Sequence, residues 1–104
     1  MNINTDIEKQ LDQHQVEIHI KIQKRNGRKS WTYVEGLEKI ELPENVDREV
    51  FMTDLTKKLK KKFNCGVTLQ ENVFALNGDH REKMKEYLIQ TNLIQADKII
   101  IHGF

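Results

Sequence analysis

The sequence predicts an α/β (α+β) two-layer sandwich: a mixed or antiparallel sheet of about five strands with two helices on one face, in the order ββαββαβ. Three observations predict it. Val16, Ile18, Ile20 and Ile22 alternate with Glu17, His19, Lys21 and Gln23, the period-two pattern of a half-buried strand. Two later segments carry apolar residues at helical spacing. Short runs of strand formers flank turn-forming pairs at Asn26-Gly27 and Glu71-Asn72.

In chain order, residues 1–15 are polar, with weak apolar periodicity at Ile3, Ile7 and Leu11, and are expected to form a flexible tail ahead of a single domain over 16–104. The alternating strand follows, and Asn26-Gly27 tolerates the positive φ that a tight hairpin turn requires. Ser30 to Val34 returns antiparallel and ends before Gly36; Trp31 and Tyr33 share a strand face and are read as core fillers in preference to a base-stacking pair. Leu37 to Asn45, with the only proline, Pro43, is a connector. Asp47 caps a helix whose Phe51, Met52, Leu55, Leu59 and Phe63 form one stripe, and Cys65-Gly66 ends it. Val67 to Leu69 and Val73 to Leu76 make a second hairpin. Asp79 and Glu82 match a capping box for a helix that buries Met84, Tyr87, Leu88 and Thr91 and exits at Asn92. Lys98 to Ile101 is the last strand.

A chain of 104 residues with 38% hydrophobic content supports one modest core and leaves little room for a deep cleft. No stretch approaches the roughly 20 apolar residues of a membrane span. A single Cys65 cannot form an internal disulfide and fits a reducing, cytoplasmic compartment. The net charge of +1 argues against a generic polyanion binder, but the charges are segregated. Residues 24–29 read Lys-Arg-Asn-Gly-Arg-Lys, and five lysines surround Leu59 over 57–62. Glu35, Glu38, Glu41, Glu44, Asp47, Glu49 and Asp54 lie between these blocks. Such asymmetry suits a docking surface.

Candidate chemistry divides sharply. His14, His19, His80 and His102 show no metal-ligand spacing among themselves or with Cys65, and no nucleophile elbow or phosphate-cradling glycine loop is present. No catalytic residue, metal or cofactor is expected, and Cys65 reads as a structural thiol. Nucleic-acid binding has better support. Cations crowded on a hairpin tip repel one another and make sense if an anion visits, and arginine's planar fork holds phosphate oxygens in pairs. Lys57 and Lys61 point away from the apolar stripe while Lys58 and Lys60 flank it, a lysine face that can follow a phosphate backbone. Basic amphipathic helices also bind membranes and calmodulin, but this stripe is only as wide as a core-facing helix needs.

From Val16 to Phe104 the chain resembles eukaryotic translation initiation factor 1. The likeness is carried by Ile18-His19-Ile20-Lys21-Ile22-Gln23 leading into Arg25-Asn26-Gly27-Arg28-Lys29, by Leu59-Lys60-Lys61 with Phe63 and Cys65, by Gly78-Asp79 with Arg81, and by Ile99 with Ile101-His102-Gly103-Phe104. The resemblance implies a monomer that binds the small ribosomal subunit near the P site, holds it open for scanning and leaves when a proper AUG is found. It implies rRNA contact by the hairpin (Arg25, Asn26, Gly27, Arg28 and Lys29, with Lys24 at its base) and by Lys57, Lys60 and Lys61, beside other initiation factors of the preinitiation complex. It assigns codon stringency to Gly78, Asp79 and Arg81, with His80 standing where glutamine is usual. The Glu71-Asn72 hairpin is shorter than the acidic loop of eukaryotic members, and Lys62 occupies a position often acidic in relatives. A related RNA-binding module acting in ribosome recycling or reinitiation is the alternative.

Overall fold

Isoleucines at every second position commit residues 18–25 to a strand with one apolar face, and the rest of the sheet assembles from it. The computed structural model describes residues 16–103 except 26–28. The expected tail, the tip residues Asn26, Gly27 and Arg28, and Phe104 lie outside the described residues. Five strands, β1 (Ile18–Arg25), β2 (Lys29–Glu35), β3 (Val67–Gln70), β4 (Val73–Asn77) and β5 (Ile99–Ile101), are ordered β3-β4-β2-β1-β5. The pairs are antiparallel except β1 with β5, which is parallel. Two helices, α1 (Arg48–Phe63) and α2 (Arg81–Gln90), cover one face, α1 beside β3 and α2 beside β1 and β5. The core is one cluster that includes Ile18, Ile20, Val34, Leu55, Leu59, Phe74, Leu76, Met84 and Leu88. The predicted architecture and element order are those observed.

Local chemistry sets the boundaries. The Asp47 carboxylate caps α1, accepting from the Glu49 amide at 2.8 Å and the Val50 amide at 3.4 Å. Asn64 closes the helix in the left-handed region at φ 49°. Glu71 and Asn72, at φ 51° and 66°, form the two-residue turn between the paired Gln70 and Val73. Asn92 takes φ 58° after α2, the expected exit. The connector is more built than expected: Leu37–Lys39 is a 3-10 turn, and Leu37 and Ile40 are buried. It starts at Gly36, where φ is 104° and an added Cβ would collide with the Glu17 carbonyl oxygen.

Three expectations fail, each for a physical reason. Trp31 and Tyr33 lie on the helix-free face, while Thr32 and Val34 are buried. A two-residue turn at Asn26-Gly27 pairs Arg25 with Arg28 and sets Trp31 opposite Ile22, in the core. The observed pairing is Arg25 with Lys29 and Ile22 with Thr32, leaving three residues between the strands. A shift of one residue turns every β2 side chain to the other face. Asp79 and Glu82 do not form a capping box on α2: the cap position is His80, without a side-chain cap bond, and Asp79 takes the Arg81 guanidinium and, at 3.4 Å, its amide. Thr91 is exposed, its hydroxyl donating to the Tyr87 carbonyl at 2.9 Å, so that its polar group is satisfied by the helix itself.

Candidate nucleic-acid interface

The register carries three distant segments to one end of the sheet. β1 ends at Arg25 and β2 begins at its partner Lys29. Asn77 lies opposite Trp31, and Val67 opposite Leu76, so β4 ends and β3 begins at that same end. Asn64 to Gly66 join α1 to β3 there, which brings the lysine-bearing half of α1 alongside. Two backbone bonds tie the junctions together: the Asn77 amide donates to the Gly66 carbonyl at 2.9 Å and the Gly78 amide to the Ser30 carbonyl at 2.8 Å. Gly78 to Arg81 follows directly.

The lysines of α1 are presented for contact. Lys57, Lys58, Lys60, Lys61 and Lys62 are all exposed, as are Lys24 and Lys29. Lys58 meets Asp54 one turn earlier at 3.1 Å, an exposed pair of small worth. Lys57 and Lys61, one turn apart on the outer face, repel by about 0.2–0.5 kcal/mol. Lys60, Lys61 and Lys62 sit in the last turn, where the helix dipole favours cations. The lysines of α1 thus present an exposed, mutually repelling cationic face that a phosphate backbone would relieve.

The Gly78–Arg81 element is held rigidly. Gly78 has φ 105°, and a Cβ there would press on His80 Nε2 at 3.0 Å. Thr32, the only buried polar residue among the described residues, donates from Oγ1 to the Gly78 carbonyl at 2.6 Å and accepts from the His80 amide at 2.9 Å. His80 Nε2 lies 2.9 Å from the Asn77 carbonyl and so donates to it, which leaves Nδ1 buried without a partner among the described residues. The ring rests against Phe63, with centroids 5.5 Å apart, locking the element to the end of α1. The Arg81 guanidinium takes Asp79 in a two-point grip, Nε to Oδ1 and Nη2 to Oδ2, each at 3.0 Å, and Nη1 donates to the His102 carbonyl at 3.1 Å. The guanidinium holds the Asp79 carboxyl below the usual carboxylate range, and the pairing raises Arg81 in turn.

Residues 14–94 match the family model described as translation initiation factor SUI1. The chain belongs to the SUI1 translation initiation factor family. It is 41% identical over 92 residues to protein translation factor SUI1 homolog 1 of Arabidopsis thaliana, covering 84% of this chain and 74% of that protein. It is 35% identical over 99 residues to a SUI1 homolog of Acanthamoeba polyphaga mimivirus, covering 89% and 85%. A SUI1 homolog of Zea mays is 37% identical over 92 residues, covering 84% and 72%.

Some residues of this SUI1-family surface are not evident from the sequence alone. Thr32 counts there as an ordinary strand former; only the β2 register reveals it as the support of Gly78 and His80. Lys83, from α2, lines with Lys62, Phe63 and Tyr87 a recess of about 230 Å³ between the helices, adding a cation at the same end. His19 and His102 are 83 residues apart, yet His19 Nδ1 lies 2.9 Å from His102 Nε2, and the rings stack with centroids 5.2 Å apart. Linear spacing carries no sign of that pair. Cys65 is half-buried, and burial raises its thiol pKa against the opposing Asn77 backbone bond, so the group stays a neutral thiol at neutral pH. No described group of three or more His, Cys, Asp or Glu is placed to hold a metal, and no described helix is long and apolar enough to cross a membrane.

Proposed function

We propose that this chain acts in translation initiation by occupying the small ribosomal subunit near the P site, with its basic end against ribosomal RNA. On this reading Lys24, Arg25, Asn26, Gly27, Arg28 and Lys29 reach rRNA from the hairpin, and Lys57, Lys58, Lys60 and Lys61 follow a neighbouring backbone from α1. Gly78, Asp79, His80 and Arg81 set the stringency of start-codon selection. No bond is made or broken: occupancy keeps the subunit open for scanning alongside other initiation factors, and departure commits the start site. The single observation that carries this reading is the convergence of β1–β2, the lysine half of α1 and the Gly78–Arg81 element at one end of the sheet. Neutralising several phosphates releases counterions, so binding is steeply salt-dependent.

A second reading, a module for ribosome recycling or reinitiation, draws support from the two-residue Glu71–Asn72 turn, which offers little bulk to obstruct a tRNA. A reconstituted initiation assay with and without the protein separates the two. Improved discrimination of AUG over near-cognate starts supports the first reading, and unchanged discrimination with retained subunit binding supports the second.

A further inference from the structure

The helix-free face of the sheet carries two aromatic rings for which the core has no use. Trp31 and Tyr33 belong neither to the buried cluster nor to the partly buried residues packed against it, and both are partly exposed. They stand two residues apart on β2, about 6.7 Å along the strand on one face. The register surrounds each with distinct chemistry. Trp31 lies between Gln23 and Asn77, two exposed carboxamides able to donate to and accept from a base edge. Tyr33 lies between Lys21 and Ala75, the alanine leaving one flank low. A recess of about 290 Å³ opens beside Tyr33, lined also by Lys21, Gln23 and Glu35. Lys29 continues the same strand face toward the basic end and is exposed. The Lys21–Glu35 pair at 3.0 Å has both side chains well exposed (44% and 39%), so Lys21 can exchange its partner for a phosphate.

We infer that this face is a stacking platform for two unpaired bases of a single-stranded RNA, with Trp31 and Tyr33 as the stacking rings. Only unpaired bases expose the faces that aromatic side chains take, and sheets bearing two or three such rings bind RNA in this way. Gln23 and Asn77 meet the edges of the base on Trp31, while Lys29 and Lys21 flank the strand's phosphates. Such binding needs no ribosome. Its failure therefore leaves the subunit-binding reading standing, and the reverse also holds.

Trp31 is the only tryptophan of the chain, so its fluorescence reads the contact directly. The full chain is titrated with a short unstructured oligouridylate and with a duplex RNA of matched length. The expected result is saturable quenching by the single strand and little by the duplex. With fluorescently labelled oligouridylate, the double variant Trp31→Val and Tyr33→Val binds at least tenfold more weakly, whereas Trp31→Phe keeps most of the affinity. Thermal melts of each variant confirm folding, and small-subunit binding by the double variant is unchanged. Absent quenching, or equal oligouridylate affinity in the folded double variant and the parent, overturns the proposal. So does loss of oligouridylate binding in Arg25→Ala, Arg28→Ala, Lys29→Ala with none in the double variant, which assigns the single strand to the hairpin tip alone.

Discussion

The two ends of the sheet differ in charge and in how that charge is held. One end gathers Lys24, Lys29, the lysines of α1 and the start of α2. The opposite end gathers Glu17, Glu35, Glu38, Glu41, Glu44, Asp47, Glu49 and Glu71, with Lys39 and Arg48 among them. At the acidic end Glu35 pairs with Lys21, Asp47 caps α1, and Arg48 donates to the backbone carbonyl of Glu38. Among the described α1 lysines, Lys58 alone has a carboxylate partner within the helix. α1, 16 residues and thus about 24 Å long, joins the two ends. A net charge of +1 conceals this separation. Separation of the two signs along the sheet is what a protein built to meet a polyanion at one end requires.

The largest effect that tests the contrast is on subunit affinity. Replacing Lys57, Lys60 and Lys61 with Gln should weaken small-subunit binding about 100-fold, at roughly 1 kcal/mol per phosphate contact, and flatten its salt dependence. Replacing Glu38, Glu41 and Glu44 with Gln should change it less than threefold; equal losses from both sets would break the contrast. A smaller effect separates buried from exposed threonines. Thr32→Val leaves the Gly78 carbonyl and His80 amide without their partner and should cost about 1–3 kcal/mol in denaturant melts. Thr68→Val, on the exposed face of β3, should be near neutral. Glu71→Asn eases a left-handed residue in the β3–β4 turn and should stabilise by up to about 1 kcal/mol while leaving subunit binding alone. Asp79→Asn should cost only a few tenths of a kcal/mol, because the Asp79 carboxylate is 47% exposed and solvent screens the pair. Since the Asp79 pKa is depressed, the pair's contribution is full above the ordinary carboxylate range and disappears as pH falls through the lowered value. Parent and variant melts should therefore differ at neutral pH and converge in acid.

Much of this was legible from residue pattern. The isoleucines of β1 set one face of the sheet, the stripe from Phe51 to Phe63 set α1, and Asp47 and Glu71-Asn72 marked a cap and a turn. All depend on chemistry within a few residues. What was not legible depends on register. Whether Trp31 or Thr32 enters the core turns on a single residue in the β1–β2 connection, which alternation within β2 does not decide. The same shift hid the role of Thr32 beneath Gly78, and the His19–His102 pair required β5 to lie parallel to β1. Asp79 satisfied a capping pattern on spacing alone, yet Arg81, two residues away, offers a charged two-point partner besides a long amide contact at 3.4 Å.

Directed cleavage of ribosomal RNA tests the orientation itself. In a Cys65→Ser background, a single cysteine carrying an iron chelate is introduced at Lys60, at the basic end, or at Glu41, at the acidic end, and the labelled chain is bound to small subunits. Strong, localised rRNA cuts from position 60 and few or none from position 41 are the predicted result. Comparable cutting from both positions, or cutting from 41 alone, would contradict the assignment of the basic end to rRNA.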